Sequence, residues 1–264
     1  MTQISTAEPV LLRQDRAGIA TLTLNRPQAR NALSVGLMTA LEHEIEAISH
    51  DKSVHVVVIA GAGPAFCAGH DLREMRAHPG RTEYTALFSQ CARLMLAIVH
   101  LAKPVIARVH GVATAAGCQL VASCDLAVAA ETARFATPGV NIGLFCSTPM
   151  VALSRNVPRK QAMEMLLTGE LIPAQEARAI GLINRVVPEA ELDAAVAALA
   201  GSIAAKSPLT LAIGKAAFYR QADMKLEDAY RYAAEVMTHN MMARDAEEGI
   251  DAFLEKRHPT WTGT

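Results

Sequence analysis

This sequence of 264 residues lacks the features of several common classes of protein. Its five cysteines form no Cys-x-x-Cys pair, and no ligand spacing fits a zinc site. It has no long basic run and a net charge of −1, which argues against nucleic acid as a partner. No uninterrupted apolar run approaches the ~20 residues of a membrane-spanning helix. We therefore expect no metal site, no nucleic-acid partner and no membrane span.

Targeting signals are also missing from the first residues, MTQISTAEPVLLRQDRAG. They show neither the basic and then apolar pattern of a signal peptide nor the Arg-rich, acid-free composition of a transit segment. The odd number of cysteines and their apolar neighbours indicate reduced, packed thiols in a reducing compartment. Together these features predict a soluble, cytoplasmic protein.

Hydrophobic residues make up 51% of the chain, enough for one large core or for a core with a smaller subdomain. The alternating segment Ile19–Leu24 predicts a strand, and Ser34 predicts the start of an amphipathic helix. Residues 55–60 form an unbroken β-branched run, typical of a strand buried on both faces. A second amphipathic helix over residues 87–101 leads to further predicted strands at Val105–Val109 and Leu126–Ala130. The strand–helix–strand–turn unit thus occurs twice.

After Pro188 the strand signals vanish and helical spacing takes over. We predict helices at 189–206, 208–220, 226–242 and 245–255. This change divides the chain into a core of residues 1–199 and a helical C-terminal subdomain of residues 200–264. The methionines at 237, 241 and 242 lie on these helices, where core packing is their simplest role.

Two small-residue turns are the most informative feature. Residues 65–75 (AFCAGHDLREM) and 110–120 (HGVATAAGCQL) each follow an apolar stretch. Their Ala and Gly residues leave main-chain N–H groups uncovered, so a ligand atom can approach the backbone closely. Two such turns facing each other could aim two donors at one oxygen. That arrangement stabilises the enolate-like oxygen of a thioester, and loss of one donor costs about a hundredfold to a thousandfold in rate.

Together with residues 24–34 (LNRPQARNALS), the two turns resemble the crotonase (enoyl-CoA hydratase/isomerase) superfamily. The resemblance extends from Ile19 to about Pro259. It implies that the two donors are the N–H groups of Ala68 and Ala116. It also implies an α/β fold, a crotonase-like spiral of repeated ββα units. Pattern alone also allows a doubly wound sheet, and the resemblance favours the spiral.

The resemblance implies partners as well. The helical tail would form contacts of a homotrimer or a dimer of trimers, an alternative role for the C-terminal methionines. The substrate would be an acyl-CoA thioester, with no cofactor other than its coenzyme A. Its phosphates would meet basic residues, the last two sometimes from a neighbouring subunit: Arg26, Arg30, Arg73, Lys256 and Arg257. Each of these taken alone is typical of a solvated surface charge. Asp71 is assigned a structural role, as a helix cap or a support for the turn.

Both glutamates that hydratases of the family use are missing. The positions that match them hold Gln119 and Gly139, which cannot carry a proton near neutral pH. Each general acid or base typically contributes about 10²–10⁴-fold, so hydration should be weak or absent. In residues 141–147, where other members place an acid, none occurs, and Cys146 is expected to be an inert thiol. His70 is the titratable side chain beside the first donor, and both a structural and a pocket-lining role stay open.

The stretch from VATAAGCQLVASCDLAV to FATPGVNIGLFCSTP is unlike the hydratases and is similar to a separate, acid-free branch of the superfamily. Three hypotheses follow. The first is an enzyme of fatty acid metabolism that forms a thioester enolate without paired glutamates, as an isomerase, a thioester-cleaving enzyme or a weak lyase. The second is a non-catalytic acyl-CoA-binding module. The third is a structural oligomer whose turns serve packing alone.

Overall fold

The computed structural model describes residues 8–264, which form two β-sheets surrounded by helices. The nine strands of this range are β1 (Leu11–Arg16), β2 (Ile19–Leu24), β3 (Val56–Gly61), β4 (Val105–Val109), β5 (Val112–Thr114), β6 (Leu126–Ala130), β7 (Arg134–Ala136), β8 (Ile172–Pro173) and β9 (Arg185–Val187). The α-helices of this range are α1 (Val35–His50), α2 (Leu72–Ala77), α3 (Arg81–His100), α4 (Ala116–Ser123), α5 (Pro149–Asn156), α6 (Arg159–Thr168), α7 (Ala174–Ala179), α8 (Leu192–Ala204), α9 (Pro208–Ala222), α10 (Leu226–Met241) and α11 (Arg244–Glu255).

The larger sheet has six strands in the order β1-β2-β3-β4-β6-β9. β1 and β2 pair antiparallel, and every other neighbouring pair in this sheet is parallel. β3 and β4 lie inside the sheet. The apolar run of β3 is buried on both faces, and β4 is buried except at the partly exposed Arg108. The smaller sheet has the order β5-β7-β8.

The chain repeats one unit as it passes between the two sheets. β4 belongs to the larger sheet, β5 to the smaller one, and α4 follows; β6 and β7 repeat the same step. Before them, β3 is followed by a short segment in which Cys67 bridges to Ala113 of β5, and then by α2. These successive ββα units are the spiral that the resemblance implied.

Local sequence signals locate several elements well. Strands β2, β4 and β6 have the predicted bounds, and the run predicted at 55–60 is displaced by one residue. Ser34 is the N-cap of α1, and its side-chain oxygen accepts the Leu37 N–H at 3.2 Å. The apolar residues that recur at helical spacing in α1 are all buried: Leu37, Leu41, Ile45 and Ile48.

The C-terminal helices are present, but the first of them packs on the spiral. Leu192, Val196 and Ala200 of α8 form a buried cluster with residues of β3, β4 and β6. The boundary predicted after residue 199 therefore falls inside α8, and the division into two domains stays a prediction. Within residues 8–264, no single helix has the length and apolar composition of a membrane span. The segments Glu189–Ala204 and Pro208–Ala222 meet that test together, with a bend of 101° between them.

α9 and α10 bury none of their residues fully in the single chain. Met237 and Met242 are 64% and 82% exposed, and Met241 is exposed as well. Core packing within the chain, the simplest role expected for these three methionines, is therefore wrong. Phe218, Tyr230 and other large apolar side chains lie uncovered on the same helices.

A buried ion pair fastens α9 to the sheet. Lys215 Nζ donates to Asp125 Oδ2 at 2.7 Å, to the Ile98 carbonyl in the last turn of α3 and to the Lys103 carbonyl in the α3–β4 connection. The Tyr219 hydroxyl donates to Asp125 Oδ1 at 2.9 Å. The two charged side chains are 8% and 16% exposed. Burial lowers the pKa of Lys215, and the nearby Asp125 opposes that shift.

We predict that Lys215→Met lowers the free energy of unfolding by about 3 kcal/mol, because Asp125 is left buried without its counter-charge. Urea unfolding measures this change. Arg231→Met is the matched control, since it breaks an exposed pair with Asp228 and should change stability by about 0.5 kcal/mol or less. A loss at Lys215 no larger than the control would contradict the prediction.

Candidate active site

The two small-residue turns lie side by side. The Cys67 N–H donates to the Val112 carbonyl at 3.1 Å, and the Thr114 N–H donates back to the Cys67 carbonyl at 3.0 Å. The Thr114 hydroxyl also donates to the Ala68 carbonyl, at 3.1 Å. A Cβ built on Gly69 would stand 3.2 Å from Ala116 N. The sequence-distant turns therefore meet, as a pair of convergent donors requires.

The Ala68 N–H is already engaged, which corrects the first predicted donor. It donates to the Arg30 carbonyl at 3.0 Å. A hydrogen already used inside the fold cannot serve a ligand unless that bond breaks.

The amide of His70 in this turn is open. Leu33 N donates to the Gly69 carbonyl at 2.7 Å, and Asp71 N donates to the Leu33 carbonyl at 3.1 Å. This is the pattern of a parallel bridge between Leu33 and His70, so the His70 N–H points away from Leu33. In the described part of the chain it has no hydrogen-bond acceptor. Unlike the N–H of Ala68, it is therefore open to a ligand.

The second predicted donor, Ala116, has the expected setting. It is the first residue of α4, where N–H groups have no partner within the helix. Ala115 before it has φ 50° and ψ −119°, a conformation that an L-residue rarely adopts. The Ala115 N–H donates to the Ala136 carbonyl at 2.9 Å, which holds this conformation in place. A strained backbone conformation that neighbouring bonds hold in place is typical of functional sites.

Gly117 allows the close approach of the two turns. A Cβ at this residue would lie 2.1 Å from the Cys67 carbonyl oxygen, so only glycine fits. All eight residues of α4 are buried. The N-terminus of this helix therefore faces the turn from a low-dielectric interior, where its partial positive charge acts strongly.

Residues 26–33 form the outer frame of the first turn. Arg26 donates to Asp71 Oδ2 at 2.8 Å and also to the Ala32 carbonyl. Asp71 is the N-cap of α2, as expected of a structural residue. Burial alone would raise the pKa of Asp71, but the hydrogen bonds from Arg26 and two amides outweigh it and lower that pKa. Sequence reasoning overlooked Asn31, which is fully buried in this frame.

The five predicted phosphate contacts divide into two groups. Arg26 is engaged by Asp71, and Arg257 is paired with Glu248 and Glu255 at 2.7 and 2.6 Å. Both guanidinium groups are paired with carboxylates in the single chain, and their contact with a phosphate stays a prediction. Arg30 and Arg73 are exposed and flank the first turn, and Lys256 is exposed at the end of α11.

The His70 side chain is partly exposed, but its Nε2 atom is buried. Among residues 8–264, Nε2 is the one buried side-chain nitrogen or oxygen without a hydrogen-bond partner. The ring meets Phe88 edge-on at 5.5 Å between centroids. Burial lowers the pKa of His70 to about 4, so the imidazole is neutral at physiological pH. His110, by contrast, has the expected structural role, with Nε2 at 2.8 Å from the Gly63 carbonyl.

The two positions that match the missing glutamates are both buried. Gln119 lies on α4, 5% exposed, with Oε1 at 3.9 Å from the Cys91 thiol. Gly139 lies in the 3-10 turn Pro138–Ile142. A Cβ on Gly139 would meet the Leu144 carbonyl oxygen at 2.4 Å and Cys146 Sγ at 2.9 Å. The second position therefore has no space for a side chain.

The cysteines around the turns are packed thiols. All five are buried and free. Burial raises the pKa of Cys67, Cys91 and Cys118 to about 12, and it also raises the pKa of Cys146. They are protonated at neutral pH, which agrees with the inert role expected of Cys146. In the described range, no group of three or more His, Cys, Asp and Glu side chains has the placement of a metal site.

The His70 environment predicts acid sensitivity. The unfolded chain binds a proton near pH 6.5 and the folded chain only near pH 4, so stability is lost as pH falls through this interval. Its contribution is about 3 kcal/mol. We predict that His70→Phe shows a smaller loss of stability between pH 6.5 and 4 than the wild type does, in urea unfolding at each pH. His43→Phe, on the exposed side of α1, should retain the wild-type loss; equal losses in all three proteins would refute the prediction.

The packing at Gly139 predicts that even a methyl group disrupts it. Gly139→Ala should destabilise the protein by about 2 kcal/mol, because the Leu144 carbonyl must move. The control is Gly214→Ala in α9, where a Cβ meets nothing within 4 Å and should stabilise the helix by about 0.5–1 kcal/mol. Thermal or urea unfolding compares the two, and a neutral Gly139→Ala would show that the site has room.

Comparison with known proteins agrees with this architecture. The family model described as enoyl-CoA hydratase/isomerase matches residues 14–264. A curated relative from Xenopus laevis, "Enoyl-CoA hydratase domain-containing protein 3, mitochondrial", is 48% identical over 96% of this chain and 86% of its own length. The rat, mouse and human relatives carry the same name. The cytoplasmic location expected from the sequence is wrong by this comparison, because these relatives are named mitochondrial; that expectation rested partly on residues 1–7, which lie outside the described residues.

Solved structures confirm the fold class and the predicted branch. An enoyl-CoA hydratase from Mycobacterium smegmatis is 57% identical, with a TM-score of 0.94 over 96% of this chain and 99% of its own. Human enoyl-CoA hydratase domain-containing protein 3 is 47% identical, with a TM-score of 0.93 over 96% of this chain and 100% of its own. The chain therefore belongs to the enoyl-CoA hydratase/isomerase family of the crotonase superfamily.

Proposed function

We propose that the protein binds an acyl-CoA thioester and holds its carbonyl oxygen between the N–H groups of His70 and Ala116. One observation carries this proposal. The two amides belong to touching turns, and the neighbouring amides of Cys67, Ala68 and Asp71 are engaged within the fold. Family membership supports an acyl-CoA thioester as the ligand.

The proposed pair of donors favours the enolate form of the thioester. Hydrogen bonds to the carbonyl oxygen withdraw electrons and acidify the hydrogens on the α-carbon. When one of these leaves, negative charge gathers on the oxygen, where the two amides and the N-terminus of α4 stabilise it. Because the strained Ala115 backbone holds the Ala116 N–H in place before the reaction, little reorganisation of this donor is needed during it.

The proton itself must move without a pair of carboxylates. Gln119 can hydrogen-bond a water or a carbonyl but cannot take a proton at neutral pH. His70, neutral and with an unpartnered Nε2, is the titratable side chain carried by the first proposed donor residue itself. We assign the protein to enolate chemistry other than efficient hydration: isomerisation, thioester cleavage or a weak lyase reaction.

A second candidate function is acyl-CoA binding without catalysis. It is favoured by the absence of an acid at 119 and 139 and by the closed packing around Gly139. Turnover of crotonyl-CoA by the wild type would exclude binding without catalysis. Appreciable hydration that survives Gln119→Ala would contradict our account of the missing acids.

For the remainder of the ligand we propose Arg30 and Arg73 as contacts of the coenzyme A phosphates, since both are exposed beside the first turn. Lys256, exposed on the C-terminal subdomain, would contribute from a neighbouring subunit. The uncovered apolar side chains of α9 and α10 support a homotrimer or a dimer of trimers.

We predict that the protein binds butyryl-CoA more tightly than free CoA, and that binding moves the thioester C=O stretch to lower wavenumber. Calorimetry and infrared spectroscopy with a ¹³C-labelled carbonyl measure the two effects. Replacing a residue by its α-hydroxy acid turns its amide into an ester and deletes the N–H. Deletion at 70 or at 116 should abolish most of the shift.

The same deletion at 68 is the matched control, since this N–H serves the Arg30 carbonyl. It should weaken folding but retain most of the shift. A shift lost at 68 and kept at 70 would restore the donor first expected from the motif. Equal affinity for butyryl-CoA and CoA would sink the proposal as a whole.

A further inference from the structure

The Asn31 side chain connects the main chain at Arg26, Ala62 and Ala65, close to the turn that carries the His70 N–H. Its side chain is completely buried. Oδ1 accepts the Arg26 N–H at 2.9 Å, and Nδ2 donates to the carbonyls of Ala62 and Ala65 at 2.8 and 2.7 Å. Both amide hydrogens and the carbonyl oxygen are therefore used on main-chain groups, which makes this residue a rigid cross-link.

The backbone of Asn31 is as unusual as its side chain. Arg30 and Asn31 have φ values of 49° and 54°, so two successive non-glycine residues adopt the left-handed conformation. Asparagine tolerates that conformation, whereas arginine does so at a cost. The three bonds of the Asn31 side chain supply the restraint that this geometry needs.

The left-handed conformation of Arg30 and Asn31 determines the direction in which the Arg30 carbonyl points. With the chain turned in this way, the Arg30 carbonyl accepts the Ala68 N–H at 3.0 Å. Two residues upstream of Cys67, the Ala65 carbonyl is held by Asn31 itself. The start of the donor turn is thus held at two residues. Asn31 binds Ala65, and Arg30, the residue before Asn31, binds Ala68.

The remainder of the turn is then determined. Gly69 and Asp71 bond to Leu33, which follows Asn31 in the same frame. Residues 65, 68, 69 and 71 are all tied to the 30–33 segment, and His70 is the residue whose N–H is turned outward. A shift of this frame would turn the His70 amide with it.

We propose that Asn31 is a positioning residue, which orients the 65–71 turn so that the His70 N–H, and not that of Ala68, faces the thioester oxygen. Asn31 itself touches no substrate. This inference rests on the proposed function, because it gives a role to the same donor.

Two variants test it. Asn31→Asp keeps the acceptor toward Arg26 and loses the two donated bonds. Asn31→Gly keeps the left-handed backbone and loses the whole side chain. Ser207→Ala is the matched control: Ser207 is buried, its hydroxyl bonds Asp245 and the Thr210 N–H, and it lies at the start of α9. Urea unfolding reports the stability of each protein.

The decisive measurements are the C=O stretch of bound ¹³C-labelled butyryl-CoA and the ratio of its affinity to that of free CoA. In both Asn31 variants we expect most of the stretch shift to vanish and the ratio to fall about tenfold, a change of about 1.4 kcal/mol. Ser207→Ala should lose stability and keep both. Asn31→Asp has nearly the shape of the wild-type residue, so it carries the test if Asn31→Gly does not fold.

The outcomes separate the two proposals. No shift in the wild type would overturn the proposed function. A shift in the wild type that persists in Asn31→Asp would overturn the positioning role, however unstable the variant is. Loss of the shift in Ser207→Ala as well would also overturn it, because general loosening of the fold would then explain the effect.

Discussion

The hydrogen bond from the Ala68 N–H to the Arg30 carbonyl decides which groups of this protein remain open to a ligand. With that amide occupied, the His70 N–H stays open in the turn that touches Ala116. In the proposed site neither donor is a side chain, so its chemistry would depend on backbone geometry. That geometry in turn depends on strained residues at 30, 31 and 115, which the surrounding bonds hold in place.

Much of the fold could be predicted because its signals are local. The alternation in Ile19–Leu24, the cap at Ser34 and the apolar runs of β4 and β6 act through neighbouring residues, and they fixed bounds that the structure repeats. The order of strands in the sheet is not a local property. The sequence analysis predicted no strand order; the spiral came from the family resemblance, and pattern alone left a doubly wound sheet open.

The site was predicted less completely, for a physical reason. Ala68 and Ala116 were assigned by motif, but the availability of an amide depends on partners far away in sequence. The Arg30 carbonyl engages the Ala68 N–H, and Asp71 pairs with Arg26, one of the predicted phosphate contacts. Asn31 escaped notice because an asparagine after a proline turn is ordinary in a sequence. Only its burial and its three main-chain bonds reveal its place in the frame.

The close packing of Gly139 against Leu144 has a consequence for how this lineage can change. A carboxylate at 139 would be harmful before it could be useful, since the loop around Leu144 must first open to admit it. A gain of efficient water addition through a carboxylate at 139 therefore requires an ordered series of substitutions, with the permissive loop change coming first. The packing of Gly139 against the Leu144 carbonyl thus constrains the order in which substitutions can change the chemistry of this site.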